Sequence, residues 1–214
     1  MDEVVGNILV GKQLNGSTVA PGLPVVAGVT PQTKGAVMFD GSTNAVDFGY
    51  SKDRCLGNIK KCPDGITIAA WIKVGTKASY PNEWYYFTTG GHTQSSHGWA
   101  WSQRDGKFNF EARTRKTYRP RVSTIVPFDT WTHIITSWHG VDGVKLYVDF
   151  RLVATETQWV RLDSGDQYPN FRAASGHIET LVDNRGNFTV DDVYIWYKKV
   201  SSEMIKEIQL RTYL

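Results

Sequence analysis

This chain of 214 residues has almost no excess of charge of either sign. Its 24 lysines and arginines are nearly balanced by 21 acids, which leaves a net charge of +3. An excess this small predicts no nucleic-acid partner, since nucleic-acid binding usually shows as a concentrated basic face. Long apolar runs are also lacking, because no stretch approaches the ~20 residues of a membrane span. No charged-then-apolar leader opens the sequence. We therefore expect this segment neither to insert into a membrane nor to bind nucleic acid.

Cysteine is equally scarce, with only Cys55 and Cys62 in the chain. A metal site would need further ligands close by, yet the nearest histidine, His92, lies thirty residues beyond Cys62. The spacing also differs from that of a redox CxxC pair. Two interpretations remain: unrelated reduced thiols in a cytosolic protein, or a disulfide that closes an eight-residue loop and stabilises by about 2.5 kcal/mol. The loop-like interior between the cysteines favours the disulfide.

Two N-glycosylation triplets begin at Asn15 and Asn187. Such triplets are common by chance, but they point in the same direction as the disulfide, towards an oxidising compartment. We therefore expect a secreted protein or the extracellular part of a cell-surface protein.

Helical periodicity is missing from most of the chain, and short strand-like runs recur instead. Residues Ile66 to Val74 alternate so that Ile66, Ile68, Ala70 and Ile72 share one face and Trp71 takes the other. Similar runs are predicted at 84–88, 98–102, 107–112, 122–126, 131–138, 144–148, 152–157, 177–182 and 188–197, with Asp-Gly turns at 105–106 and 142–143. This spacing indicates an all-β sandwich or barrel.

One helix is predicted, at the C-terminus. Ser201 or Ser202 can cap it, and Met204, Ile205 and Ile208 form an apolar stripe. Because no linker or repeat interrupts the chain, we predict a single domain over residues 1–214.

Four segments together resemble laminin-G-like domains, in the order and spacing of that family over residues 35–212. They are Gly35–Gly41 with Ala45–Phe48, Gly65–Lys73, Trp131–Ile134 with Lys145–Asp149, and Val190–Trp196. The resemblance implies a concanavalin A-like jelly roll, in which two antiparallel sheets form a sandwich. It also implies pentraxin-like and thrombospondin-N-terminal-like relatives, almost all of them extracellular binding units. Phe150 replaces the family's Gly after Asp149, so we expect a turn other than type I′ there.

The resemblance also implies a structural calcium ion between the first Phe-Asp-Gly turn and the last strand. Asp40, Asp191 and Asp192 stand at those positions, and Asp192 is the better candidate of the pair because Asp191 alternates with core-facing residues. Calcium binds several carboxylate and carbonyl oxygens. In the alternative interpretation Asp40 forms an Asx turn and Asp192 accepts backbone N–H groups. Asp163, Asp166 and Asp183 form another acidic group, which we interpret as solvated.

The most distinctive stretch runs from residue 113 to residue 121 and holds five cations and no acid. Strand alternation would align Arg113 with Arg115, and Arg119 with Arg121, giving paired guanidinium groups that suit sulfate, phosphate or carboxylate. Laminin-G-like domains often bind sulfated glycans through such loops. The predicted ligand-binding residues are Arg113, Arg115, Lys116, Tyr118, Arg119 and Arg121. The alternative is a solvated strand end without a ligand.

The sequence has few residue patterns that are typical of catalytic sites. Glucanases share the jelly roll and present paired acids on one strand face, whereas Glu83, Glu111, Glu156 and Glu179 are isolated here. The segment 91–98 has two histidines and two serines, but it is more simply a polar turn. We therefore predict a non-catalytic extracellular recognition module that binds an extracellular protein or an anionic glycan.

Two other functions stay open. One is a lectin-type module that stacks sugars on loop aromatics, and the other is a glycan-cleaving enzyme. The candidate stacking residues are Tyr80, Trp84, Tyr118, Trp159 and Tyr168. The sequence predicts no oligomeric state.

Overall fold

The computed structural model describes residues 23–29, 35–76, 83–90, 96–113, 120–157, 166–167, 170–176 and 184–212. Within these ranges the chain forms strands in two sheets, a short 3₁₀ turn at Ile59–Lys61 and one α-helix, α1, at Ser202–Thr212. The strands are β1 Val25–Val26, β2 Ala36–Asp40, β3 Val46–Tyr50, β4 Ile66–Val74, β5 Glu83–Thr88, β6 Ser96–Arg104, β7 Lys107–Arg113, β8 Arg121–Thr124, β9 Trp131–His139, β10 Gly143–Val148, β11 Arg151–Glu156, β12 Asp166–Gln167, β13 Asn170–Ala173 and β14 Asn187–Trp196. This confirms the predicted all-β sandwich with a short C-terminal helix.

The first sheet has the strand order β1-β2-β14-β4-β9-β10-β11, and all of its pairs are antiparallel. The last strand of the chain, β14, therefore lies between β2 and β4. The second sheet has the order β3-β13-β5-β6-β7-β8, and β12 adds a short parallel pairing to β6. Long connections between the two sheets place sequence-distant residues side by side, as expected for a jelly roll.

The core fills the space between the sheets with alternating side chains. Phe39 on β2 stacks on Phe188, its direct partner on β14, with ring centroids 4.7 Å apart. Trp101, which is fully buried on the second sheet, donates its indole N–H to the Thr136 hydroxyl on the first sheet at 2.8 Å. The apolar area holds the sheets together, and this bond satisfies the one polar atom of a large core side chain.

Helix α1 covers part of the outer face of the first sheet. Ser201 caps it, because the Ser201 hydroxyl accepts the Met204 N–H at 3.2 Å. Met204 and Ile208 are buried against Ile135 and Trp196 of the sheet. The predicted cap and apolar stripe are both confirmed.

The turn between β10 and β11 differs from expectation. Asp149 and Phe150 have φ values of 47° and 66°, so both central residues take the positive φ of a type I′ turn. Expecting another turn was wrong, because contacts with strand β9 hold this geometry. The Phe150 ring stacks on His133 at 4.4 Å, and the Asp149 carboxylate accepts the His133 N–H at 3.0 Å. These contacts offset a backbone cost of about 1–3 kcal/mol.

Candidate functional site

The flanks of the basic stretch lie on two neighbouring antiparallel strands at one end of the second sheet. Arg113 ends β7 and Arg121 begins β8, while the Ala112 N–H donates to the Pro120 carbonyl at 3.1 Å. Residues 114–119 connect the strands and lie outside the described residues. Arg115, Lys116, Tyr118 and Arg119 therefore belong to a single connection.

The two described arginines differ in their surroundings. Arg113 is buried, so it is not a solvated strand end. Arg121 is exposed and forms an ion pair with Glu111, its register partner on β7, at 3.4 Å. Glu111 itself is fully buried. A buried carboxylate thus fixes the direction of one guanidinium group while leaving part of it open to solvent.

Sequence analysis missed Glu111, because it treated this residue as an isolated acid. The signal lies in the hairpin register, which sets Glu111 directly opposite Arg121. Opposite residues of antiparallel strands share a face and interact. Without knowing where the hairpin closes, a ten-residue separation does not indicate contact.

The predicted metal ligands are not brought together. Asp40 lies opposite Asn187 on β14, whereas Asp191 lies four residues further along that strand. At 3.4 Å per residue the two acids are about 14 Å apart along the ladder. No group of three or more His, Cys, Asp or Glu side chains suited to a metal occurs among the residues that the structure describes. The three acids therefore do not fit one shared calcium ion.

Asp40 forms an Asx-type turn at the end of β2. Its carboxylate accepts the N–H groups of Ser42 and Thr43, both at 2.8 Å, the Asn44 N–H at 3.3 Å and the Thr43 hydroxyl. Burial alone would raise the pKa of Asp40, but these hydrogen bonds outweigh it and hold the pKa well below its ordinary range. The carboxylate is thus committed to local backbone donors.

Asp191 and Asp192 lie at a bulge in β14. Asp191 is buried, and its carboxylate accepts the N–H groups of Val29 at 3.1 Å and Asp192 at 3.0 Å. Burial, with the adjacent Asp191 charge, raises the pKa of Asp192. The buried Asp191 and the half-buried Asp192 therefore repel each other.

The disulfide is present between Cys55 and Cys62, whose Cα atoms are 4.9 Å apart. Its loop packs on the second sheet, because the Trp99 indole donates to the Leu56 carbonyl at 2.9 Å. The disulfide prediction is confirmed.

Of the two glycosylation triplets, Asn15 lies outside the described residues. Asn187 begins β14, and its side-chain nitrogen donates to the Thr76 carbonyl at 2.7 Å. A glycan at Asn187 would replace one of the two hydrogens on this nitrogen and leave a single N–H to donate to Thr76. Glycosylation at both positions stays a prediction.

The described candidates for a catalytic acid pair and for an aromatic platform do not form these sites. Glu83 accepts hydrogen bonds from Tyr85 and Ser102, and the register across β6 separates it from Glu111 by about 16 Å. Trp84, expected on a loop, is instead a buried core residue of β5. The side chains of Tyr80, Tyr118, Trp159 and Tyr168, of the serines and histidines at 92–97, and of Glu179 lie outside the described part, as do Asp163, Asp183 and the Asp166 side chain.

Known proteins with related sequences include a cell-surface receptor. Human adhesion G-protein coupled receptor D1 is 25% identical over 163 residues, which cover 74% of this chain and 18% of the receptor. The chain thus spans about a fifth of that relative's length. In the described part of the chain, no helix has the length and hydropathy needed to cross a membrane.

Solved structures share the fold at lower identity. Botulinum neurotoxin type C, described as depending on interaction with two ganglioside molecules to enter cells, has a TM-score of 0.67 at 11% identity. The binding domain of botulinum neurotoxin DC in complex with rat synaptotagmin II has a TM-score of 0.65 at 11% identity. In both cases the match covers 90% of this chain and 45% of that chain.

The chain also matches a protein family as a whole, and this family is the one that the sequence motifs resemble. The laminin-G family described as the concanavalin A-like lectin/glucanases superfamily matches residues 40–206, which is most of the chain. Strands β3 to β14 and the first turn of helix α1 lie within that range. The chain therefore belongs to this laminin-G family of concanavalin A-like domains.

Proposed function

We propose that this chain is a non-catalytic extracellular recognition module that binds an anionic ligand, either a sulfated glycan or an acidic region of an extracellular protein. The observation that carries the proposal is the placement of the basic stretch. Because β7 and β8 are antiparallel neighbours, four of its five cations are confined to one connection and the first residue of β8. Clustered cations produce a local field that a net charge of +3 spread over the chain would not.

Family membership supports the extracellular part of the proposal, as do the disulfide and the similarity to an adhesion receptor. The ganglioside and synaptotagmin of the structural relatives are consistent with glycan or protein ligands. They carry less weight, because the shared part is under half of those chains. Arg121, held by Glu111 yet partly exposed, supplies a preoriented guanidinium group at the edge of the site.

The test is retention on immobilised heparin, a sulfated polyanion. The triple variant Arg115→Ala, Lys116→Ala and Arg119→Ala should lose retention at physiological ionic strength, because exposed charge interactions weaken with salt. Its melting temperature should match that of the unmodified chain, since side chains that meet a ligand from solution, as proposed for these three, contribute little to stability.

A matched control removes three cations elsewhere. Lys107, Lys198 and Lys206 are exposed, and none forms an ion pair with another described residue. Their joint replacement by Ala should leave retention nearly unchanged. Equal losses from both triples would show that only total charge matters, and the proposed site would be wrong.

A further inference from the structure

Strand β11 is an edge strand with exposed apolar side chains. Among the described strands it pairs only with β10, at the border of the first sheet. Leu152 is 54% exposed and Val153 46% exposed. Ile125, which directly follows β8, is 74% exposed, and β8 lies against β11. An exposed apolar edge strand is a template for pairing with another strand.

We propose that β11 pairs antiparallel with β11 of a second copy of this chain, across a two-fold axis between Val153 and Ala154. This register sets Arg151 opposite Glu156 of the other copy. A two-fold interface repeats each contact, so the pairing gives two ion pairs of opposite charge. The strand is thus complementary to itself in charge as well as apolar at its centre.

The orientation of the side chains agrees with this register. Across the ladder to β10, Arg151 is opposite Val148 and Glu156 is opposite Val144. These two valines are four residues apart on a regular strand, so they share a face. Arg151 and Glu156 therefore also share a face, although five residues separate them. Residues opposite each other in an antiparallel pair must share a face, and this pair does.

A β-bulge in β11 explains why residues five positions apart share a face, and it also selects the partner. The register to β10 shifts between Leu146 and Tyr147, which leaves Val153 as the extra residue. A bulge puts an edge strand out of step with a regular strand and so discourages unrelated partners. A second copy carries the same extra residue beside the axis, so the two bulged strands stay in step. Glu156 also has a contact in its own chain, but a carboxylate accepts at two oxygens.

Sedimentation equilibrium of the full 214-residue chain tests the proposal. The mass should rise from monomer towards dimer with concentration, because a six-residue edge contact is small for a specific interface. Arg151→Glu and Glu156→Arg should each raise the dissociation constant by at least about tenfold, since each introduces two like-charge pairs. The double variant Arg151→Glu, Glu156→Arg restores both pairs and should restore association.

The control is Lys206→Glu, at an exposed position of helix α1. It makes the same charge change as Arg151→Glu and should not affect association. Val153→Lys places two cations beside the axis at an exposed position, so it should abolish association without lowering the melting temperature. That variant decides the question if Glu156→Arg does not fold. A monomeric mass at every concentration would overturn the proposal. So would association unaffected by Val153→Lys, or a folded double variant that stays monomeric.

Discussion

His133 on β9 is a titratable side chain in an apolar environment. Its ring lies edge-on to Trp71 at 5.1 Å and stacks on Phe150 at 4.4 Å. The residue is 1% exposed, and its Nδ1 atom has no hydrogen-bond partner among the residues that the structure describes. Burial lowers the pKa of His133 from 6.5 to about 3. The imidazole is therefore neutral in the folded chain at physiological pH.

This environment predicts a pH dependence of stability. Between pH 6.5 and about 3 the unfolded chain binds a proton at His133 that the folded chain does not, so the free energy of unfolding falls as the pH falls. The loss is at most about 1.4 kcal/mol per pH unit. His133→Phe keeps a ring between Trp71 and Phe150 but does not titrate. Urea denaturation at several pH values should show a shallower decline for the variant, whereas parallel profiles would mean that the folded chain accepts the proton.

Phe150 shows why some single-residue geometry escapes sequence analysis. An aromatic residue disfavours positive φ, so the sequence argued against a type I′ turn. The stack on His133 reverses that preference, and it depends on a residue seventeen positions earlier in the chain. Intrinsic propensity is local, whereas the contact that overrides it is set by the β9–β10 register.

At the scale of elements, strongly periodic segments were predictable and short ones were not. Strand β4 has the predicted bounds Ile66–Val74, because its alternation is regular over nine residues. Strands β1, β12 and β13 were not predicted, since two to four residues carry too little periodicity. The predicted strand at 177–182 lies outside the described residues. The basic stretch was visible as a run of charge, but its pairing with Glu111 required the hairpin register.

The disulfide loop is an element whose contribution can be measured. Closing a loop of this length stabilises by about 2.5 kcal/mol, chiefly by restricting the unfolded chain. Cys55→Ala with Cys62→Ala should therefore lower the free energy of unfolding by about that amount, measured by urea denaturation. Reduction should lower the stability of the unmodified chain to a similar level and leave the double variant unchanged. An equal response of both proteins to reductant would show that the bond contributes little.

At the scale of the whole molecule, the motifs predicted the sandwich, but register decides which distant residues meet. The pairing of β14 with β2 sets Asn187, not Asp191, opposite Asp40. Asp191 instead binds the backbone of Val29, 162 residues away in sequence. Asp40 and Asp191 could be recognised in the sequence as motif positions. Their separation along the sheet could not be deduced without the pairing of β14 with β2.

Calcium binding stays a prediction, and the positions of the acids sharpen its test. Burial and the adjacent Asp191 charge raise the pKa of Asp192. A cation at these two acids would offset that repulsion, and it would strengthen the link between the first and last described segments. At a hundredfold excess over Kd, calcium would stabilise by about 2.7 kcal/mol, and each kcal/mol shifts the melting temperature by roughly 2–4 °C. Chelator should then lower the melting temperature by several degrees. Asp192→Asn should remove that response and Asp40→Asn should preserve it, because Asp40 lies about 14 Å from Asp191 along the ladder. Identical melting curves in calcium and in chelator would show that none of the three acids binds calcium.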